Sequence, residues 1–274
     1  MNYKYGKKIE TEEEIKEILL DILLTFHRFC EEHDIRYSLD YGTLLGAIRH
    51  KGYIPWDDDI DVCMLRSEYE KLEHEFPKVM GNKYSFYTLN REKKWNRPYG
   101  KFYNTRTIEN AKANNNVGIG IGIDVFPIDD VPDNPYDFET FRKRRLLLVH
   151  AGTIKSIVWS KKRPLLKNLF VVFCHLLLLP FSHRFLAKAI DNYIKMNNNK
   201  NYSCVYHSCD AIEAKKSYPK SYFNNYIDMQ FEGYTLKVIN EYDKYLSQIY
   251  GDYMQLPPEE KRIFHHALEA WWKE

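Results

Sequence analysis

A run of aspartates near residue 60 contains the side chains best suited to chemistry in this sequence. Asp57, Asp58 and Asp59 are consecutive, and Asp61 follows after one apolar residue. From residue 59 to 64 the acidic and apolar residues alternate, which predicts a β-strand whose residues i and i+2 point to one face. Asp59 and Asp61 would then lie side by side, as oxygen ligands suited to Mg²⁺ or Mn²⁺.

The alternative without a functional role is a solvent-exposed acidic loop, where clustered charges are usually found. Trp56, Ile60 and Val62 argue against it, because they embed the aspartates in an apolar pattern. Carboxylates in such surroundings lose hydration without a counter-ion, so a bound cation is the better explanation.

A divalent cation at such a pair neutralises charge that develops during phosphoryl transfer and aligns the attacking and leaving oxygens. A third carboxylate usually completes a site of this kind. Asp124 is the candidate, because it is a single acid among the apolar residues of the strand-like stretch 122–126. We expect Asp124 to bind the metal and to accept the proton of an attacking hydroxyl.

Small and basic residues ahead of the acidic run could bind phosphate. Gly42 and Thr43 form a predicted turn before a short helix, where backbone N–H groups and a hydroxyl can hold an anion. Arg49, His50 and Lys51 follow as nearby cations. Such turns are most often structural and such cations are usually solvated, so the prediction depends on their order and spacing.

The elements that must position these residues form a mixed α/β (α+β) core with appended helices. Thr11 and Glu14 make a capping box at the start of an amphipathic helix. Shorter elements follow the alternation of apolar and polar residues. We predict strands at 36–40, 59–64, 84–89, 100–103 and 120–126, and helices at 44–48 and 67–76.

Pro132 and Pro135 mark a boundary in the chain. Residues 1–135 are predicted to form the catalytic core, and residues 136–274 a mainly helical region that completes the domain. Within that region, 136–160, 164–196 and most of 242–273 are predicted helical, whereas 196–203 is predicted to be an exposed connection.

The charge of the chain is unevenly distributed although the net charge is only +2. Residues 142–190 contain eleven Lys and Arg and no Asp or Glu, so the remainder holds 29 basic and 38 acidic residues. This segment includes the apolar run 169–181, which is shorter than the roughly 20 residues of a membrane-spanning helix. Peripheral contact with an anionic membrane and burial as a core helix are equally consistent with it.

Five cysteines with irregular spacing argue against a disulfide framework and favour a reducing compartment. The first residues contain no apolar stretch typical of a secretory signal. We therefore expect a cytoplasmic protein, in contact with the inner face of the membrane if the apolar run binds lipid. No nucleic-acid reader motif accompanies the basic segment, so nucleic acid is not an expected partner.

Two weaker groups have functional and ordinary interpretations. Cys204, His207 and Cys209 beside Asp210 could bind zinc, but their spacing matches no common site and three ordinary side chains are favoured. A second group could form an aromatic wall for a quaternary ammonium by cation–π attraction, although core packing explains it as well. Its members are Trp95, Tyr99, Phe102 and Tyr103.

The stretch YGTLLGAIRHKGYIPWDDDIDV, residues 41–62, closely resembles the signature of the LicD family. Members of this family transfer phosphocholine and related phosphorylated groups onto cell-surface glycans, and the family is similar to the fukutin-type ribitol-phosphate transferases. The resemblance continues, in family order, through GIDVFPID at 122–129 and YLSQIYGDYMQLPP at 245–258.

The resemblance implies a nucleotidyltransferase fold with Gly42-Thr43 as its glycine signature, Asp59 and Asp61 as the metal pair and Asp124 as the third acid. It also implies a CDP-activated donor such as CDP-choline. A glycan hydroxyl would attack the β-phosphate and CMP would leave, with Asp57 and Asp58 either facing the substrate or supporting the metal ligands. The acceptor would be a teichoic acid, lipopolysaccharide or capsule precursor, in some cases lipid-linked.

Two alternatives remain from the sequence. The chain could instead add a whole nucleotide to a small acceptor, or it could be a catalytically silent relative that binds a nucleotide or glycan. Retention of Asp59, Asp61 and Asp124 argues against the silent relative, because degenerate sites tend to lose their metal ligands.

Overall fold

Mixed sheets and helices make up the part of the chain that the computed structural model describes, which is residues 5–78, 80–109, 119–157, 159–161, 163–207, 209, 216–262 and 269–274. The helices are α1 Glu12–Glu32, α2 Tyr41–Arg49, α3 Arg66–Glu75, α4 Pro135–Ser156, α5 Leu165–Leu178, α6 His183–Lys195 and α7 Tyr242–Tyr250. The strands are β1 Tyr5–Ile9, β2 Ser38–Leu39, β3 Asp61–Leu65, β4 Tyr84–Tyr87, β5 Gly100–Asn104, β6 Thr107–Glu109, β7 Gly122–Val131, β8 Cys204–Tyr206, β9 Tyr218–Pro219, β10 Tyr226–Phe231, β11 Tyr234–Ile239 and β12 Ala270–Lys273. The expected mixed α/β class is confirmed.

Helix α1 begins as predicted. The Thr11 hydroxyl accepts a hydrogen bond from the backbone N–H of Glu14 at 3.1 Å, which satisfies one of the unpaired donors of the first turn. The apolar residues recur at helical spacing and form one buried face, which packs on the sheet through contacts with β5 and β7. They include Ile15, Ile18, Leu19, Ile22, Leu23 and Phe26.

The central sheet has the strand order β2-β3-β7-β5-β4. Its β3 and β7 are parallel, whereas β2–β3, β5–β7 and β4–β5 are antiparallel. Strand β7 is ten residues long, so its first half pairs with β3 and β5 and its last three residues pair with β8. Asp61 of β3 and Asp124 of β7 are direct register partners, and this places the two acids on neighbouring strands at the same level.

The prediction that residues 242–273 are largely helical is wrong at its end. Helix α7 stops at Tyr250, before Gly251, and Ala270–Lys273 is the strand β12. That strand lies between β1 and β6. Its partners are more than 150 residues away in sequence, so local spacing could not indicate the pairing.

Three other differences concern the boundaries of elements. The predicted helix 164–196 is two helices, α5 and α6, separated around Pro180, which cannot donate an N–H to a continuous helix. Strand β3 begins at Asp61, so Asp59 precedes it. The sequence analysis predicts no element between 204 and 241, where β8 to β11 are found. The division of the chain at residue 135 stays a prediction.

A buried ion cluster joins α3, β7 and α6. Arg66 donates two hydrogen bonds to Asp129, at 2.7 and 2.8 Å, and lies 3.2 Å from Asp191. The Asp129 side chain is fully buried and also accepts a hydrogen bond from Asn198 at 2.7 Å. The cluster therefore ties the helical region to the long strand of the sheet.

Within the described residues, no single helix is long and apolar enough to cross a membrane. Helices α5 and α6 pass that test only as a pair, and they are bent by 78° at their junction.

Candidate active site

A cavity of about 840 Å³ opens beside the acidic run. Its wall has three parts: helix α2, the loop that leads into β3, and the chain that follows α7. The lining residues are Gly42, Leu45 and Arg49 of α2, then Ile54, Trp56, Asp57, Asp59 and Asp61, then Tyr250, Asp252, Tyr253, Gln255, Leu256, Pro257, Pro258 and Arg262.

Three consecutive carboxylates are crowded at this cavity. Oxygen atoms of Asp57, Asp58 and Asp59 all lie within 4.8 Å of one another. Burial raises the pKa of Asp57 to about 7, with further contributions from Asp59 and Asp58. Like charges at this separation oppose full ionisation unless a cation is present. The three carboxylates that lie closest together therefore differ from the predicted ligand set of Asp59, Asp61 and Asp124.

Asp61 and Asp124 join the same region through the sheet. Asp61 lines the cavity, and its parallel partner Asp124 is on the neighbouring strand. In-register residues of adjacent strands point to the same face at a spacing of about 5 Å. Asp124 also faces Lys101 of β5 at 3.8 Å, and Lys101 lies 3.7 Å from Glu109. Lys101 therefore supplies positive charge next to the predicted third acid.

Gly42 and Thr43 lie within the first turn of α2 rather than in a separate turn ahead of it. A Cβ on Gly42 would collide with the Asp57 carboxylate, so glycine permits this close approach. The Thr43 hydroxyl is buried and accepts a hydrogen bond from the Asp61 backbone N–H at 2.9 Å. Thr43 therefore links α2 to the acidic strand, and phosphate binding by its hydroxyl remains a proposal.

The three predicted cations differ in position. Arg49 lines the cavity and donates hydrogen bonds to the carbonyl oxygens of Tyr253 at 2.8 Å and Gln255 at 3.4 Å. His50 packs edge-on against Trp56 with ring centroids 6.2 Å apart, and burial lowers its pKa. Lys51 is exposed and has φ of 62° in a turn. Neither His50 nor Lys51 lines the cavity.

The sequence analysis assigned no role to the residues that form the opposite wall. Tyr250 lines the cavity together with Asp57, Asp59 and Asp61 and is 43% exposed. Arg262 places its guanidinium 5.5 Å from the ring of Trp56. All residues of this wall except Arg262 lie in the third stretch of the family resemblance, 245–258. The sequence therefore contained a signal for this wall.

Directly behind α2 is a second, buried group. Asp40 caps α2 by accepting from the Tyr41 N–H at 2.9 Å, and its carboxylate also accepts from the Tyr245 hydroxyl at 2.7 Å. His207 Nε2 lies 2.5 Å from the Tyr245 oxygen and 3.1 Å from Asp40 Oδ2. The side chains of Asp40 and His207 are at most 3% exposed.

The group of Asp40, Cys63 and His207 is compact enough to be considered as a metal site. Tetrahedral zinc with bonds of 2.0–2.3 Å separates its ligands by about 3.3–3.8 Å. The separations among Asp40, Tyr245 and His207 are shorter and match hydrogen bonds. Asp40, Tyr245 and His207 therefore form a hydrogen-bond network. This network connects the start of α2 to α7, the helix that leads into the cavity wall.

Cys204, His207 and Cys209 do not converge, so a zinc site made of these three is not formed in the described structure. His207 points to Asp40, whereas Cys209 Sγ lies 3.1 Å from the Pro98 carbonyl oxygen. Asp210 lies outside the described residues. The aromatic group is packed in hydrophobic clusters, as the ordinary interpretation predicts: Trp95, Phe102 and Tyr103 are at most 5% exposed, and Tyr99 packs against the same clusters.

The donor atoms present at the cavity fit a divalent cation with oxygen ligands. Several carboxylates converge there, and oxygen atoms of Asp57, Asp58 and Asp59 all lie within 4.8 Å of one another. Carboxylate oxygens without sulfur or imidazole are the ligands that Mg²⁺ and Mn²⁺ prefer.

The chain is similar to known proteins of one family. Residues 34–151 match the model of the LicD/FKTN/FKRP nucleotidyltransferase domain. A relative named lipopolysaccharide cholinephosphotransferase LicD, from Haemophilus influenzae, is 35% identical over 267 residues, which is 93% of this chain and 95% of the relative. An uncharacterized protein of Rickettsia prowazekii is 36% identical over 59 residues, or 22% of each chain.

Proposed function

Because this chain belongs to the LicD family, we propose that it transfers phosphocholine, or a related phosphorylated alcohol, from a CDP-activated donor to a hydroxyl of a cell-surface glycan. The observation that carries the proposal is one cavity in which Asp57, Asp59 and Asp61 face Arg49 and Arg262. Acids at one side and guanidinium groups at the other suit a diphosphate donor that arrives with a metal ion.

The cations of the cavity would hold the donor. Arg49 and Arg262 present guanidinium groups, which bind phosphate oxygens in pairs. Gly42 lies in the first turn of α2, where backbone N–H groups favour an anion. Arg49 is itself held by two carbonyl oxygens of the opposite wall, so its position is fixed before the donor binds.

Asp59, Asp61 and Asp124 would hold Mg²⁺ or Mn²⁺, with Asp57 and Asp58 close enough to contribute oxygens. When bound, the ion supplies positive charge that stabilises the departing CMP. Thr43 fixes the backbone of Asp61 through its hydroxyl. This link would hold Asp61 at the start of β3, next to Asp124.

Asp124 would also accept the proton when an acceptor hydroxyl attacks the β-phosphate. It is the register partner of Asp61 on the neighbouring strand, which places its carboxylate beside the acids of the cavity. Lys101 lies 3.8 Å from Asp124 and supplies positive charge beside the proposed base.

The acceptor class is proposed from the relative of Haemophilus influenzae, whose name states lipopolysaccharide. A teichoic acid or capsule precursor would present the same kind of sugar hydroxyl. We place the reaction in the cytoplasm, at the inner face of the membrane, where CDP-alcohols and lipid-linked glycan precursors meet.

Release of CMP tests the proposal. Purified protein is incubated with deacylated glycan acceptors and a panel of CDP-choline, CDP-ribitol and CDP-glycerol, with Mg²⁺, with Mn²⁺ or with EDTA. We expect CMP from one of the donors, dependent on both acceptor and metal. Absence of CMP from every donor, with either metal and with lipopolysaccharide and teichoic acid acceptors, would contradict the proposal.

A further inference from the structure

Helix α5 exposes a broad apolar surface, which we call the α5 surface. Its residues occur at helical spacing along one side of α5 and continue just beyond it, and each is at least 40% exposed. At 100° per residue the main members span an arc of about 120°. The main members are Leu166, Leu169, Phe170, Phe173, Leu176 and Leu177.

The opposite side of α5 is attached to the protein. His175 donates through Nε2 to the Ile154 carbonyl of α4 at 2.7 Å, and Lys155 donates to the Leu178 carbonyl at 3.0 Å. Asn168 is 3% exposed and donates to the Ser160 carbonyl at 2.8 Å. These contacts hold the helix so that its apolar side faces away from α4.

The size of the α5 surface needs an explanation. Six Leu and Phe side chains, each at least 50% exposed, lie along one side of one helix, whereas the exposed apolar residues of a typical soluble monomer are scattered and its largest patch covers about 300–600 Å². Phe185, at the start of α6, is 53% exposed and stacks with Phe181 at 5.2 Å, which extends the surface. Such a patch marks a binding surface.

The charges around the α5 surface identify the partner. Lys161 and Lys167 are exposed at the start of α5, and Lys188 is exposed on α6. Residues 142–190 contain no acidic side chain, whereas the rest of the chain is acidic in balance. Trp159, 55% exposed, lies beside these lysines, and tryptophan favours the boundary between lipid and water.

We propose that the α5 surface docks the protein on an anionic phospholipid membrane, with α5 in the plane of the interface. A 14-residue helix is about 21 Å long, shorter than the hydrocarbon core of about 30 Å, and the 78° bend to α6 prevents a straight continuation. An apolar helix flanked by lysines is the composition that binds the headgroup boundary. The inference rests on the proposed function in one respect: docking would bring the cavity to a lipid-linked acceptor.

Sedimentation with vesicles tests the inference without any substrate. The full-length protein is mixed with vesicles of phosphatidylcholine alone or with 30% phosphatidylglycerol. We expect sedimentation that rises at least tenfold with the anionic lipid, falls at least tenfold in the double variant Phe170→Glu/Phe173→Glu, and falls several-fold in Lys161→Gln/Lys167→Gln. Trp159 should shift its fluorescence to shorter wavelength on binding, and Trp159→Phe identifies its signal among the five tryptophans.

The matched control introduces two glutamates at exposed aromatic residues outside the α5 surface. Tyr136 is 80% exposed at the far end of α4 and Tyr234 is 48% exposed on the β10–β11 hairpin. Tyr136→Glu/Tyr234→Glu should bind vesicles as the wild type does. CMP release with a soluble acceptor should be unchanged in the Phe170 and Phe173 variant, so loss of docking is distinguished from failure of the proposed function.

Two outcomes would overturn the inference. One is that the wild-type protein stays in solution with anionic vesicles. This outcome includes a dimer in which a second copy of the chain covers the α5 surface, and analytical ultracentrifugation would then show a monomer only for the Phe170→Glu/Phe173→Glu variant. The other is equal sedimentation of the wild type and the Phe170→Glu/Phe173→Glu variant.

Discussion

Asp59→Asn and Asp61→Asn are each expected to lower kcat for CMP release by about 10³-fold, which corresponds to about 4 kcal/mol of lost transition-state stabilisation. Each substitution keeps the size of the side chain and removes one negative ligand from the cavity. In the proposed reaction, this lowers the negative charge available to hold the ion that stabilises the leaving phosphate. Steady-state rates at saturating donor and metal measure the effect.

Stability measurements separate this loss of catalysis from loss of folding. Asp59 contributes to the raised pKa of Asp57, so Asp59→Asn removes one of several crowded charges. We expect its unfolding temperature in EDTA to be no lower than that of the wild type, and the increase caused by Mn²⁺ to be smaller. Asp228→Asn is the control, because that side chain is 62% exposed on the hairpin. Wild-type activity in either site variant would contradict the assignment.

Arg66→Met should cost about 3–5 kcal/mol of folding free energy, a large part of the 5–15 kcal/mol typical of a domain. The substitution leaves the carboxylate of Asp129 buried with no cation to compensate it, since Arg66 makes two hydrogen bonds to that group. Asp191 keeps Lys195 as a partner at 2.9 Å. Urea unfolding at constant m-value measures the change.

Lys244→Met is the control, because Lys244 also pairs with a carboxylate, that of Glu241 at 2.6 Å, but the two side chains are 64% and 34% exposed. An exposed pair contributes little to stability. The double variant Arg66→Met/Asp129→Leu should recover part of the loss, because both charges are then absent. If Arg66→Met and Lys244→Met cost the same, the buried cluster does not stabilise the fold as described.

The sequence was informative where neighbours along the chain determine the structure. Thr11 and Glu14 predicted the start of α1, and the apolar pattern at 122–126 predicted a strand that contains Asp124. The alternation at 59–64 predicted a strand, although the strand starts only at Asp61. Ahead of it the chain turns, with the Asp57 N–H bonded to the Ile54 carbonyl, and this turn crowds Asp57, Asp58 and Asp59 together.

Features formed by distant parts of the chain were not predictable in this way. Arg49 and Tyr253 are 204 residues apart and meet across the cavity. The contact of His207 with Asp40 likewise depends on how β8 and α2 pack, which no spacing near His207 reveals. Local patterns identified the acids, whereas the wall that encloses them is a product of tertiary packing.

In the proposed reaction, the bond between the two phosphates of a CDP-alcohol is broken in the cavity between α2 and the chain after α7. A transferase that attached a whole nucleotide would use the same carboxylates, and release of CMP does not occur in that reaction. The two reactions differ in which phosphate the acceptor hydroxyl attacks, and hence in the group that the acceptor gains.

The mass of the acceptor after reaction is therefore the most direct test. Deacylated glycan is incubated with CDP-choline, Mg²⁺ or Mn²⁺ and wild-type protein, or with the Asp61→Asn variant, and the product is examined by mass spectrometry. The account predicts an acceptor that gains one phosphocholine group with the wild type and none with the variant. An acceptor that gains a cytidine monophosphate group, or that gains phosphocholine equally with the Asp61→Asn variant, would contradict it.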